Sequence, residues 1–354
     1  MKFLHLIPNL DRHAPSRLQQ ELKNSQMSIK SAIEATDATH KILVRYLSSP
    51  GSNVRVPNWA EEKVLEEDSR DSFAGQEIPP LLRATDVSLQ DVGNADYVVF
   101  TNSDICLAPQ FYEEVSSVIA SGTTSFSVHR RTIHDVEGQI APYESMLTVD
   151  TTAHEGSDCF VFPAQHLRRL QFDQMAIGIA PIGDLFLINL ALLDTSFAKI
   201  PNKDITFHFG DSRDWNSDSR SYSASQTAHF GRRAIQKLQV EFGFRAVIST
   251  AQKVGVFRQT WNRILLPMTN PGLGKLGFVA FNKLISVVER SNVNTKFGIQ
   301  SSLFAQFVQR SILFPARPLK GQAFHTVRRL YRFFVKRIRN PLKRIILQYS
   351  KTNR

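Results

Sequence analysis

Short apolar runs alternate with amphipathic segments over the first 215 or so residues, and this alternation restricts the fold more than any other feature. Lys2–Pro8 (KFLHLIP) is short and almost continuously apolar, the pattern of a strand buried on both faces. Pro15 stands at a helix start, and Leu18, Leu22, Met27, Ile29, Ala32 and Ile33 follow at helical spacing. Lys41–Leu47 predicts a second strand, closed by the turn-forming SSPGSN. Further along, DYVVFT (96–101), 125–130 and 159–163 predict strands, Pro109–Ala120 and Leu185–Leu193 predict helices, and Ile205–Phe209 predicts a last extended run. A helix is expected after Pro80 in EIPPLLRATDVSLQDV, and DSRDWNSDSRSYSAS (211–225) reads as a loop. Strands and helices in this order specify an α/β layered domain, expected to be a Rossmann-like mixed, mostly parallel sheet flanked by helices. In such sheets ligands bind beyond the carboxyl ends of the strands, which is where chemistry should be sought.

Composition removes several classes of function. With 42% apolar and 21% charged residues, the chain is globular rather than disordered or fibrous. Cys106 and Cys159 are its two cysteines, too few for a disulfide scaffold or a cysteine-based zinc site, and they suit a reducing compartment. The opening MKFLHLIPNL has neither the apolar core nor the small-residue cleavage site of a signal peptide, and no run of about 18 apolar residues exists, so a cytoplasmic chain is expected. The formal net charge of +11 conceals a division. Residues 251–354 hold 20 Lys and Arg against one acid, Glu289, whereas residues 1–250 hold 23 basic and 31 acidic side chains.

Five polar places carry the candidate chemistry. The strand DYVVFT runs into Asn102-Ser103-Asp104, which places an amide oxygen and a carboxylate at a carboxyl end. Hard divalent cations take oxygen ligands, and magnesium sites combine one or two carboxylates with substrate phosphates. Asn, Ser and Asp are equally the ordinary residues of a turn after a strand. Gly156-Ser157-Asp158 precedes the strand CFVFP, and Asp158 is either a strand-entry turn residue or a second acid of the site. Asp184 opens the apolar helix DLFLINLAL, where it is either an N-cap or a general base at the rim of a cleft. His208 lies between two phenylalanines, as a packed imidazole or a further metal ligand. Arg130 and Arg131, at a strand end, could clamp phosphates through bidentate hydrogen bonds or face solvent.

The order of these pieces resembles the A-type glycosyltransferase fold in its inverting, family-2-like group, over residues 1–215. That group carries an Asp-x-Asp motif after a strand, matched here by Asn102-Ser103-Asp104. A Gly-led strand follows, matched by residues 156–162. An acid at a helix start acts as base, matched by Asp184, and a His-x-x-Gly-like stretch near the metal is matched by His208 to Gly210. The chain departs at Asn102, which leaves Asp104 as the anionic member of the motif, and at Gly183-Asp184, where the usual pair of acids is reduced to one. The resemblance implies transfer of a sugar from a nucleotide-diphosphate donor to a polysaccharide or glycolipid hydroxyl, with inversion. It further implies Mn2+ or Mg2+ on Asp104, Asn102 and His208, donor or phosphate contacts from Asn102, Ser103, Asp104, Arg130 and Arg131, and Asp184 as base with Asp158 as the alternative. A catalytically degenerate nucleotide-sugar-binding protein is the other expectation that Asn102 leaves open.

The basic third calls for a separate explanation. In residues 324–339, Val327, Tyr331, Phe334 and Ile338 share one helical face and Arg328, Arg332, Lys336 and Arg339 occupy the other side; residues 342–349 repeat the pattern after Pro341. Basic amphipathic helices with bulky apolar residues lie in membrane interfaces. The expected organisation is a nucleotide-sugar-binding catalytic domain (1–215), a helical linker (216–250) and a basic amphipathic helical extension (251–354). The extension would hold the protein peripherally on the inner, anionic face of the membrane. A solvated basic face is the plainer alternative. Nucleic acid is the remaining partner class, against which stand the acidic body and the absence of a recognition motif.

Overall fold

The computed structural model describes residues 1–9, 16–51, 55–68, 82–134, 143–178, 181–201, 204–209 and 227–256. The chain divides into two compact units, Met1–Pro267 and Met268–Arg354, and every described element belongs to the first. The loop 211–225 and the amphipathic segments 324–339 and 342–349 lie outside the described residues.

The elements are β1 (Lys2–Pro8), α1 (Ser16–Ala35), β2 (Lys41–Ser48), β3 (Glu61–Val64), α2 (Ala84–Ser88), β4 (Tyr97–Thr101), β5 (Ile105–Leu107), α3 (Phe111–Ala120), β6 (Phe126–Ile133), β7 (Thr151–Pro163), α4 (Ile182–Leu193), β8 (Ala198–Ile200), β9 (Thr206–Phe209), α5 (Arg232–Phe242) and α6 (Phe244–Lys253). Among the described residues nine strands form one sheet in the order β3-β2-β1-β4-β7-β6-β9-β5, with β8 also on β6. Strands β3, β2, β1 and β4 run parallel to one another. After the chain has moved outward from β1 to β3, β4 returns to the other side of β1, so the strand order reverses there.

The other half departs from the expected Rossmann-like sheet, mixed but mostly parallel: antiparallel pairings dominate it and it branches at β6, and the fold class is corrected accordingly. The 13-residue β7 runs antiparallel between β4 and β6, and β5 pairs antiparallel with β9. The outer edge of β6 is shared: its start pairs with β8 and its end with β9, both parallel. Antiparallel neighbours need no long crossover, so strand-rich segments here follow one another without a helix between each pair. The helix expected after Pro80 is confined to Ala84–Ser88 among the described residues, and the three short strands β3, β5 and β8 had no periodic signal to announce them.

Two packing features hold the site's supports. His5 on β1 is fully buried, its Nδ1 2.9 Å from the Tyr112 hydroxyl and its Nε2 2.9 Å from Thr101 Oγ1. Burial pushes its imidazole down to about 3, so it sits neutral, bonding the last residue of β4 to α3. On the other face, Phe186 of α4 stacks on Phe160 of β7 and Phe100 of β4, with ring centroids 4.6 and 4.8 Å apart. Phe172 closes the cluster at 4.4 Å. These rings fix where the first turn of α4 lies. α5 and α6 meet at Gly243, whose φ of 87° a glycine adopts without strain, and α6 packs on α4.

Candidate functional site

The end of β4 and the middle of β7 are bound to each other. The register closes at Thr101 opposite Cys159, and one residue further the Asn102 N–H donates to the Asp158 carbonyl at 3.2 Å. The Asn102 side chain follows, its Nδ2 donating to Asp158 Oδ1 at 3.0 Å. Arg130 of β6 takes the second carboxylate oxygen through an ion-paired hydrogen bond. Asp158 therefore joins three strands, β4, β6 and β7.

Irregular pairing makes this junction possible. Opposite Val128 and His129, strand β7 presents Cys159 and Ser157, so Asp158 is an extra residue; between His129 and Arg131 the register shifts again, past residues 154–156. Such bulges re-aim side chains that a regular ladder would send to alternate faces. Gly156 belongs to the second shift. Its N–H donates to His154 Nδ1 at 2.8 Å, and a Cβ on it would stand 2.7 Å from that nitrogen. The glycine expected to lead a strand instead allows an imidazole to fold back over the strand's own backbone.

Asp104, two residues past Asn102, faces β9. His208 Nε2 is 3.1 Å from Asp104 Oδ2, an ion pair across 104 positions of sequence. Burial opposes ionisation of Asp104, but the adjoining His208 and then Arg130 outweigh it and hold the carboxyl below its ordinary value. Burial likewise opposes a charged His208, and Asp104 prevails over it to raise the imidazole. Arg130 is thus felt at both carboxylates. Arg131, the next residue along β6, turns away to Thr151 and to Asp204, at 3.0 Å, as alternation along a strand requires. It does not join the cluster. Ser103, between the two motif residues, is buried.

Asp184 sits in the first turn of α4, where the N-cap is Pro181 and contributes no side-chain bond, so Asp184 is not the cap. A carboxylate in this turn is favoured by the helix dipole. Gly183 brings the turn against the bulged strand: a Cβ there would lie 3.4 Å from the Ser157 carbonyl oxygen, next to Asp158. The first turn of α4 and the Asn102–Asp158–Arg130 junction are therefore neighbours.

The fit of a divalent cation can be judged on these donors. Asp104 Oδ1 is buried with no hydrogen-bond partner among the described residues, while Oδ2 is already beside an imidazole nitrogen. A carboxylate and an imidazole are ligands that manganese takes together, and magnesium sites are commonly completed by substrate phosphates. The Asn102 Nδ2 is committed to Asp158, so within the expected trio its contribution would come from the amide oxygen. Among the described residues no group of three or more His, Cys, Asp or Glu is assembled for a metal. The residues fit a cation held by Asp104 and His208, with its further positions left to the Asn102 amide oxygen, substrate or water.

The fold and cluster define a mixed α/β domain with a polar, charge-paired site beyond the carboxyl end of β4. No family model and no curated protein matches the chain. Solved structures with a similar course of chain include Staphylococcus aureus TarS residues 1–349 in complex with UDP-GlcNAc, at 12% identity over 75% of this chain and 84% of that one, with a TM-score of 0.39. Another is glucosyl-3-phosphoglycerate synthase from Mycobacterium tuberculosis in complex with Mn2+, uridine diphosphate and phosphoglyceric acid, at 14% identity over 63% and 76%, with a TM-score of 0.37. Likeness at this level assigns no family. The expected membership of the A-type, family-2-like group is accordingly withdrawn: no family model supports it, and the half of the sheet beyond β4 is branched and largely antiparallel. No helix among the described residues is long and apolar enough to cross a membrane.

Proposed function

We propose that the chain transfers a sugar from a nucleotide-diphosphate donor to a hydroxyl of a glycan or glycolipid. The observation that carries this reading is the Asp104–His208 pair beyond β4, with Arg130 beside it and the acid of α4 across the Ser157–Asp158 bulge. Each member has a role in displacement at an anomeric carbon. Arg130 and the backbone after β4 receive the diphosphate, and Asn102, fixed by Asp158, shapes the loop that holds it. Asp184 takes the proton of the acceptor hydroxyl, and attack opposite the leaving group inverts the anomeric centre. Mn2+ or Mg2+ on Asp104 and His208, when bound, supplies positive charge where the leaving diphosphate becomes more negative. Asp158 is committed to Arg130 and Asn102, which favours Asp184 over Asp158 as the base.

Calorimetric titration with nucleoside diphosphates in the presence of Mn2+ tests the reading. Binding is expected to require the cation and to weaken by at least about tenfold in Asp104→Ala, from the loss of an anionic ligand. Cation-independent binding, or an unchanged Asp104→Ala, would count against it.

The catalytic role is proposed for residues 1–215, and the basic sequence from 251 onward suits attachment to an anionic leaflet, at about 1 kcal/mol per basic residue near the surface. Deleting residues 324–354 is expected to abolish cosedimentation with vesicles containing phosphatidylserine while leaving nucleotide binding intact. Retained cosedimentation would assign the charge to another purpose.

A further inference from the structure

Helix α1 buries a stripe that its apolar spacing does not explain. Glu21, Asn24, Ser25 and Ser28 are polar, recur at helical spacing, and are each 4% exposed or less. Asn and Ser inside a helix compete with its backbone for hydrogen bonds and weaken it, so their place there calls for a compensating contact. That contact is β5, against which α1 packs.

β5 ends the order of the described sheet, with β9 as its strand neighbour. Ile105, Cys106 and Leu107 are fully buried, so main-chain groups on the open edge of β5 have no water to turn to. Such groups alternate between the two edges of a strand. The Ala108 N–H donates to the Ile205 carbonyl beside β9 at 3.0 Å, which leaves Ile105 and Leu107 facing the open edge. There α1 takes the place of a strand. The Ser25 hydroxyl donates to the Ile105 carbonyl at 2.8 Å, and the Leu107 N–H donates to the Ser28 hydroxyl at 3.0 Å. Ser28 spends its own hydrogen on the Ser25 carbonyl at 2.7 Å, so its oxygen is free to accept from Leu107.

One residue separates this brace from the cation ligands. The Ile105 N–H donates back to the Asn102 carbonyl at 3.3 Å and closes a turn whose central residues are Ser103 and Asp104. Ile105 is also the register partner of His208. It therefore meets the turn of Asp104 through its N–H, α1 through its carbonyl, and His208 through the pairing of β5 with β9. The 3.1 Å spacing of Asp104 and His208 depends on two short strands keeping their places.

We propose that Ser25 and Ser28 are positioning residues for the cation, holding β5 and the 102–105 turn so that Asp104 and His208 are set before Mn2+ or Mg2+ arrives. The proposal rests on the proposed use of a cation by Asp104 and His208. Neither serine acts on the ion directly; each acts through β5. Losing a support behind a metal ligand costs about 10–100-fold in affinity.

The experiment is titration of Mn2+ alone into the full chain, read from the electron paramagnetic resonance of the free ion, with thermal unfolding measured alongside. Ser25→Ala and Ser28→Ala are each expected to weaken Mn2+ binding by about tenfold. Ser25→Thr keeps the hydroxyl and should stay within about threefold of the unmodified chain. Ile29→Val, on the same helix, removes a buried methyl group and no hydrogen bond, and should lower stability while leaving Mn2+ affinity within about twofold. Unchanged affinity in either alanine variant would overturn the proposal. So would a loss in Ile29→Val equal to that in Ser25→Ala, since affinity would then only follow stability, or a Ser25→Thr as weak as Ser25→Ala. In each of these cases the cation reading stands. No Mn2+ binding by the unmodified chain would overturn that reading and the proposal with it.

Discussion

Asp184→Asn is expected to lower sugar transfer by about 10²–10⁴-fold, the range over which a positioned general base accelerates proton transfer. Its nucleotide affinity should stay within about twofold, because the proposed base acts on the acceptor hydroxyl and not on the donor. The asparagine keeps the size of the side chain and removes its basicity. The decisive comparison is therefore rate against binding in the same preparation. A fall in donor affinity matching the fall in rate would make Asp184 a donor contact and return the role of base to Asp158. Asp158→Asn is a useful counterpart, since it strips Arg130 of its carboxylate and should alter nucleotide binding as well as rate.

The second large effect is on stability. Phe186 lies among Phe100, Phe160 and Phe172 with centroids 4.4–4.8 Å away and is 1% exposed. Phe186→Ala should destabilise the domain by about 3–5 kcal/mol, lost transfer energy plus the cavity left between β4, β7 and α4. Denaturant unfolding followed by tryptophan fluorescence would measure it. A loss below about 1 kcal/mol would mean that the surrounding rings collapse into the space, and that α4 is held by other contacts. Because Asp184 precedes Phe186 by two residues, any such repacking also moves the proposed base. Activity should then fall further than the folded fraction does.

The parts of this fold that are legible in sequence are those with long, one-sided patterns. The strand at Lys2–Pro8, the helix over Ser16–Ala35 and the strand ending at Thr101 each follow from apolar spacing and a flanking Pro or turn, and each lies within a residue or two of expectation. Direction in the sheet is not written locally. Nothing in CFVFP says that β7 runs antiparallel, because a strand buried on both faces reads the same either way. The same gap affects the site. Asn102, Asp104, Asp158, Arg130 and His208 can all be picked out from the chain, and the structure brings these five together. Arg131 looks as suitable as Arg130, yet alternation sends it to Asp204. Only the bulged register decides which of the two faces Asp158, and Gly156 is the one residue that hints at a bulge. The bond from Asn9 to Ser48 and from there to Glu62 joins strand ends 39 and 14 positions apart, which no local pattern announces.

The Asp104–His208 pair spans 104 residues of chain, and Arg130 and Asp158 reach the same place from strands formed between those ends. Closing so long a loop costs entropy that is recovered only when β9 docks beside β6 and β5. Pairing β1 with β4 spans 94 positions as well, so the two halves of the sheet demand closures of comparable length. A chain with one closure made would hold part of the site without the rest. Any ligand needing both parts binds the finished sheet alone, and so draws the folding equilibrium towards completion by mass action.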